Sequence, residues 1–204
     1  VQIASKGRRK RLGLPIFLSA LIPIGTLRAV NRLLSPDKSR AIQLANPLEK
    51  TGTPDLEVWI HTARRGFEMM GHVDISYKGV TYAYGLYNPE SSRLFGTVGD
   101  GVLIRLSSQD YLDSLAHDDW RAVVGYGMVL TDQQQEAIEG RLAEIMSHTK
   151  PLVLQTEKQR QSYLGQLSNH YGVESFTFTN SQFKTYFVMT TNCVLLADTI
   201  LEAI

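Results

Sequence analysis

Tyr186-Phe187-Val188-Met189-Thr190-Thr191-Asn192-Cys193-Val194-Leu195-Leu196-Ala197-Asp198 holds the only cysteine of the 204-residue chain, at a point where an extended stretch is expected to turn into a helix. The first N–H groups of a helix lack intrahelical partners and carry partial positive charge, so a thiol placed there ionises more easily and has donors beside it for an oxyanion. A lone cysteine on an apolar segment is otherwise a small core residue. A partner decides between the two, and the matching base is His72 in Gly71-His72-Val73-Asp74-Ile75-Ser76.

Outward from these segments the pattern is that of an antiparallel meander followed by helices. Leu56 to Thr62 alternates apolar and polar residues, His72 to Tyr77 does the same, and Lys78-Gly79 reads as a hairpin turn into Val80 to Tyr84. Val102 to Leu106 and the segment around 121–129 add strands, with a helix starting near Ser107 between them. Thr131 is expected to cap a helix running to about His148, with Ile138, Leu142 and Ile145 or Met146 as its buried stripe and Pro151 as its breaker. Thr156 to Asn169 is polar and reads either as helix or as an excursion over the surface, Val173 to Thr179 is a strand, and Phe183 to Met189 is expected as the strand delivering Cys193 to a terminal helix over 193–203. Strands first and helices interspersed later define an α+β class.

Length allows one domain with a sizeable core, at 51–204, behind an N-terminal appendage at 1–50. A formal net charge of +1 gives no argument for nucleic acid, and one cysteine excludes an intramolecular disulfide framework. Within the appendage, Lys6, Arg8, Arg9, Lys10 and Arg11 precede an apolar run from Leu12 to Leu27 that contains Pro15 and Pro23. That order matches a targeting or membrane-touching segment, but the run falls short of the ~20 apolar residues a spanning helix needs. It is expected to be a Pro-bent segment followed by a helix over 26–34, with membrane contact through Leu12 to Leu27 as the rival reading.

The early Gly71-His72-Val73-Asp74-Ile75, the following Val80 to Gly85 and the late Thr191-Asn192-Cys193-Val194-Leu195-Leu196 together resemble the circularly permuted branch of the NlpC/P60 papain-like superfamily, over roughly residues 56 to 204. Papain-like enzymes ordinarily place the cysteine helix first and the histidine strand later; here the order is reversed. The resemblance implies a permuted papain-like fold, Cys193 as nucleophile and His72 as general base. It places the third polar residue about where Tyr84 stands, an unusual occupant. Tyr84 is therefore the first expectation for the orienting group and Asp100 the second, with Asp74 and Asn88 weighed below them. A side chain two residues along the same strand does not ordinarily cup its neighbour's ring. The Cys193 N–H is the expected oxyanion donor, with the Asn192 side chain as a possible second.

The branch holds cell-wall peptidases and amidases, lecithin:retinol acyltransferase-like enzymes and some antibacterial effectors of type VI secretion systems. The expected activity is hydrolysis of an amide bond in peptidoglycan stem peptides through a thioester, with no metal or organic cofactor. The expected setting is the bacterial periplasm after secretion or injection, with a secretion apparatus and a cognate immunity protein as partners. Two alternatives stand beside it: a lipid-ester hydrolase or acyltransferase, and a catalytically inactive binding module in which Cys193 is core packing. His61 and His72 with one distant cysteine do not make a zinc signature. His117 with Asp118 and Asp119 reads as a solvated loop, His148 as a helix C-terminal residue. The Gly96 to Gly101 run lacks the Lys-Ser/Thr of a phosphate loop.

Overall fold

The computed structural model describes residues 42–44, 53–62, 71–117 and 123–204. All belong to the compact unit formed by Pro36–Ile204. The expectations for residues 1–41, including the basic run, Leu12 to Leu27 and the helix over 26–34, lie outside the described residues.

The described strands are β1 (Ile42–Leu44), β2 (Leu56–His61), β3 (His72–Tyr77), β4 (Val80–Gly85), β5 (Val98–Asp100), β6 (Val102–Ser107), β7 (Val123–Met128), β8 (Thr149–Pro151), β9 (Glu174–Phe178) and β10 (Thr185–Phe187). The helices are α1 (Ser108–His117), α2 (Asp132–Ser147), α3 (Glu157–Arg160), α4 (Tyr163–Tyr171) and α5 (Cys193–Leu201). Eight strands form one sheet in the order β1-β7-β2-β3-β4-β6-β9-β8, antiparallel except for the β1–β7 pair, and β5 and β10 form a separate two-stranded sheet. The class is α+β with a mostly antiparallel sheet. β1 comes from the stretch read as the appendage.

The β3–β4 hairpin closes on Lys78 and Gly79, with φ of 47° and 77°. Two successive positive φ values match the right-handed twist of the flanking strands, and glycine takes its share without a Cβ penalty. The register then sorts the sheet into two faces. His61 lies opposite His72 and Trp59 opposite Asp74, so these four share a face with Ser76, Thr81 and Ala83. Tyr111 of α1 and Leu164 and Leu167 of α4 are buried with the apolar members of that face. On it the Trp59 indole N–H donates to Ser76 Oγ at 2.8 Å, the Ser76 hydroxyl meets Thr81, and Thr81 donates to Ser108 Oγ at 3.2 Å. The buried hydroxyls are thus paired, as burial requires.

The other face carries Leu56, Ile75, Tyr77, Tyr84, Leu103 and Phe178, packed against Ile138, Leu142 and Ile145 of α2 and Leu196, Ala197 and Ile200 of α5. Thr131 caps α2 in a capping box with Gln134, as its sequence pattern predicts.

Two local expectations, for Pro151 and for 183–189, differ from the structure. α2 ends at Ser147, before Pro151, which closes the edge strand β8, where a missing N–H breaks no ladder. Of the two readings of Thr156 to Asn169, the helical one holds, as α3 and part of α4. The expected strand over 183–189 is a 3₁₀ turn at Gln182–Lys184 followed by the three residues of β10, which pair with β5. Tertiary contacts impose this. The Gly101 N–H donates to Lys184 O at 3.0 Å, and a Cβ at Gly101 would collide with Phe183 O, so only glycine permits the approach.

Candidate active site

α5 is anchored by Leu196, Ala197 and Ile200 beneath the sheet, and this seats its first residue, Cys193, at the start of β3, whose first residue is His72. The Cys193 thiol lies beside the His72 ring and the Val73 backbone N–H, near enough for both to favour its ionised form. His72 Nε2 lies 2.9 Å from Asp74 Oδ1, with the His72 side chain 17% exposed and Asp74 buried. This contact is one of charge: neither atom makes a well-directed hydrogen bond. With Nε2 facing Asp74, the thiol's partner is the other ring nitrogen, Nδ1.

The remaining oxygen, Asp74 Oδ2, accepts the Tyr111 hydroxyl at 2.7 Å and lies 3.1 Å from His61 Nε2. Burial disfavours the imidazolium of His72, but the adjacent Asp74 charge and the hydrogen bond to Cys193 outweigh it and push the ring up to about 10. Burial likewise disfavours the Asp74 carboxylate, and the His72 charge with the His61 hydrogen bond holds it well below the usual carboxylate range. For Cys193, burial raises the thiol, yet the hydrogen bond and charge of His72 and the Val73 N–H bring it below its ordinary 9.0. When the thiol is ionised, thiolate, imidazolium and carboxylate alternate in charge from Cys193 through His72 to Asp74. Burial, reinforced by the charge of Cys193, raises the phenols of Tyr84, Tyr87 and Tyr186 above 10.0, Tyr186 to about 12, so all three stay neutral.

Asn192 is the helix cap. Its Oδ1 accepts the N–H groups of Val194 and Leu195 at 3.0 and 3.3 Å, and its Nδ2 donates to Val188 O at 2.8 Å. The Asn192 amide thus caps the helix with its oxygen and commits one of its two N–H donors to Val188 O. The Leu196 N–H goes to Asn192 O. As the first residue of α5, Cys193 has no carbonyl within its own helix for its N–H to meet, which leaves that group available at the helix mouth.

Of the residues singled out from sequence, Cys193 and His72 are brought together. Tyr84 is not on His72. It lies fully buried on the opposite face of the sheet, its hydroxyl donating to Phe183 O at 2.9 Å and its ring packed on Phe178, Phe183 and Tyr186. Asp100 is exposed on the two-stranded sheet opposite Thr185. Asn88 Oδ1 accepts Glu90 N–H and Gln159 Nε2, which is turn chemistry. The group on His72 is Asp74, which the sequence pattern ranks below Tyr84, and its partners His61 and Tyr111 carry no signal of that role in the sequence. Asp118 and Asp119, read from sequence as a solvated loop beside His117, lie outside the described residues. Among the described residues, no three His, Cys, Asp or Glu side chains are grouped so as to hold a metal ion, and no helix is long and apolar enough to cross a membrane.

Comparison with protein-family models, with curated proteins and with solved structures finds no match.

The geometry sets expectations for two variants. Tyr84→Phe removes one buried hydrogen bond and is expected to cost about 1 kcal/mol of stability in chemical denaturation while keeping the pH profile of Cys193 alkylation. The ion pair also sets a pH window. Asp74, held low, contributes stability above its ordinary 3.8 and loses it as pH falls through its folded value. His72, held high, contributes below its ordinary 6.5 and loses it as pH rises through about 10. The gap in melting temperature between wild type and Asp74→Ala should therefore be widest between pH 3.8 and 6.5 and narrow on both sides.

Proposed function

We propose that this chain is a cysteine hydrolase of the permuted papain-like type, acting by acyl transfer through a thioester. The observation that carries the reading is the Cys193 thiol at the first residue of α5, set beside the His72 ring, whose Nε2 faces the buried Asp74 carboxylate. The thiolate attacks a carbonyl carbon, and the oxyanion forms toward the Cys193 N–H. His72 gives its Nδ1 proton to the leaving amine as the C–N bond breaks, leaving a thioester and a neutral imidazole. His72 then takes a proton from water, the resulting hydroxide displaces the thiolate, and the acid product leaves. Asp74 stays ionised throughout and stabilises each imidazolium.

The substrate is proposed from the resemblance of the Gly71 to Ile75 and Thr191 to Leu196 segments: an amide in peptidoglycan stem peptides, cleaved in the periplasm, with an immunity protein as the expected partner of an antibacterial effector. A second reading, a lipid ester, is favoured by exposed apolar side chains on either side of the nucleophile in the chain, Met189 at 63% and Val194 at 52%. Incubation with purified sacculi and, separately, with phospholipid vesicles tests both by product mass. Released muropeptides support the amidase, free fatty acid supports the lipid reading, and neither product from protein with a reactive Cys193 would reject both substrates.

A further inference from the structure

We propose that His61 and Tyr111 are positioning residues that hold the Asp74 carboxylate against His72, an inference that rests on the hydrolase reading above. An aspartate two residues along a strand from a histidine shares its face but does not by itself point back at the ring. The Asp74 to His72 contact of 2.9 Å has no hydrogen-bond direction to fix it. What fixes the carboxylate is its other oxygen. Oδ2 meets two groups from two different elements, the Tyr111 hydroxyl of α1 at 2.7 Å and His61 Nε2 of β2 at 3.1 Å, and this leaves Oδ1 turned to His72.

Both groups are themselves held. His61 pairs with His72 across the β2–β3 ladder, and its ring stands edge-on to those of His72 and Tyr111, with centroids 5.4 and 6.1 Å apart. Tyr111 also lies 6.3 Å from the Trp59 ring, which Ser76 anchors. His61 is buried, and among the described residues its Nδ1 has no hydrogen-bond partner. His61 Nε2 also lies 2.5 Å from the Tyr111 hydroxyl oxygen. With the proton on Nε2, where acceptors stand, rather than on Nδ1, the imidazole N–H is shared between that oxygen and Asp74 Oδ2 while the Tyr111 hydroxyl donates to Asp74. A histidine kept only for packing would be matched by an apolar side chain without that buried, unpaired nitrogen.

The test compares His61→Leu, His61→Gln and Tyr111→Phe with wild type by the rate of Cys193 alkylation by iodoacetamide from pH 5 to 10, with circular dichroism melting as the check on folding. His61→Leu and Tyr111→Phe should slow alkylation at pH 6 about tenfold and move the profile to higher pH, because a charge-assisted hydrogen bond that positions the carboxylate is lost. His61→Gln, which restores a side-chain donor, should recover most of the rate. Tyr111→Phe removes a single oxygen and keeps the ring, so it reads the role even where His61→Leu does not fold. A folded Tyr111→Phe variant with the wild-type profile, or His61→Gln no better than a folded His61→Leu, would overturn the positioning role while wild-type reactivity at pH 6 still upheld the hydrolase. A wild-type thiol that titrates in the ordinary way would overturn the hydrolase reading and this inference with it.

Discussion

Asp74→Asn is expected to lower kcat/KM by about ten-thousandfold while the fold is retained, the scale of loss seen when the acid of a nucleophile–histidine–acid system becomes an amide. The reason is the number of donors around that side chain. Asp74 receives Tyr111 and His61 at one oxygen and faces His72 Nε2 with the other. An amide can match only one side. With its oxygen toward Tyr111 and His61, its NH₂ faces the imidazolium N–H; turned over, the NH₂ meets the His61 and Tyr111 donors. Either way a donor meets a donor in a buried site, and the carboxylate charge that favours the imidazolium is gone. Steady-state rates on the substrate found with sacculi or vesicles, with circular dichroism on the same sample, check this. A loss of only a few fold would show that Asp74 is not the orienting group.

The largest effect is expected from Cys193→Ala, a loss of about 10⁶-fold in turnover with the fold intact. The substitution removes one buried sulfur at the start of α5 and introduces the residue most favourable to helix, and Asn192 still caps Val194 and Leu195. Among the described residues, no second cysteine stands by to form the thioester. Substrate affinity should survive, because binding and bond-making are separable. A binding module built around a packed cysteine would instead keep its full function in the alanine variant. Rates on the product-yielding substrate, with isothermal titration of the same substrate, separate these outcomes.

The parts of this arrangement that are legible in the sequence are those set by local rules. Alternation over 56–62 and 72–77, the Lys78-Gly79 turn and the Thr131 cap are decided within a few residues, and the strands, hairpin and α2 follow them closely. Cys193 at a helix start is likewise visible, as the point where an extended stretch gives way to a helix; that Asn192 caps it is seen in the structure.

The orienting group is not legible, because its direction comes from other elements. Nothing within 72–77 shows that Tyr111 and His61 turn the Asp74 carboxylate toward His72. The pairing of His61 with His72 is implicit in a β2–β3 hairpin, but the long connection between those strands does not set the register as a two-residue turn does. Tyr84 has a suitable sequence position and the wrong face: strand parity places it with Ile75 and Tyr77 over α5 and α2, where Phe183 O takes its hydroxyl. The segment 183–189 departs from expectation for a related reason, since its aromatic residues suit a strand while the contact of Phe183 with Gly101 bends the chain into a turn.

The central claim is that Cys193 and His72 form a thiolate–imidazolium pair held by Asp74, and the pH dependence of Cys193 alkylation in the wild-type protein tests it most directly. The single cysteine makes the signal unambiguous. Rapid modification at pH 6 and an inflection below the ordinary thiol value of 9.0 are expected. A rate at pH 6 no greater than that of a free thiol, with one inflection near 9.0, would contradict it.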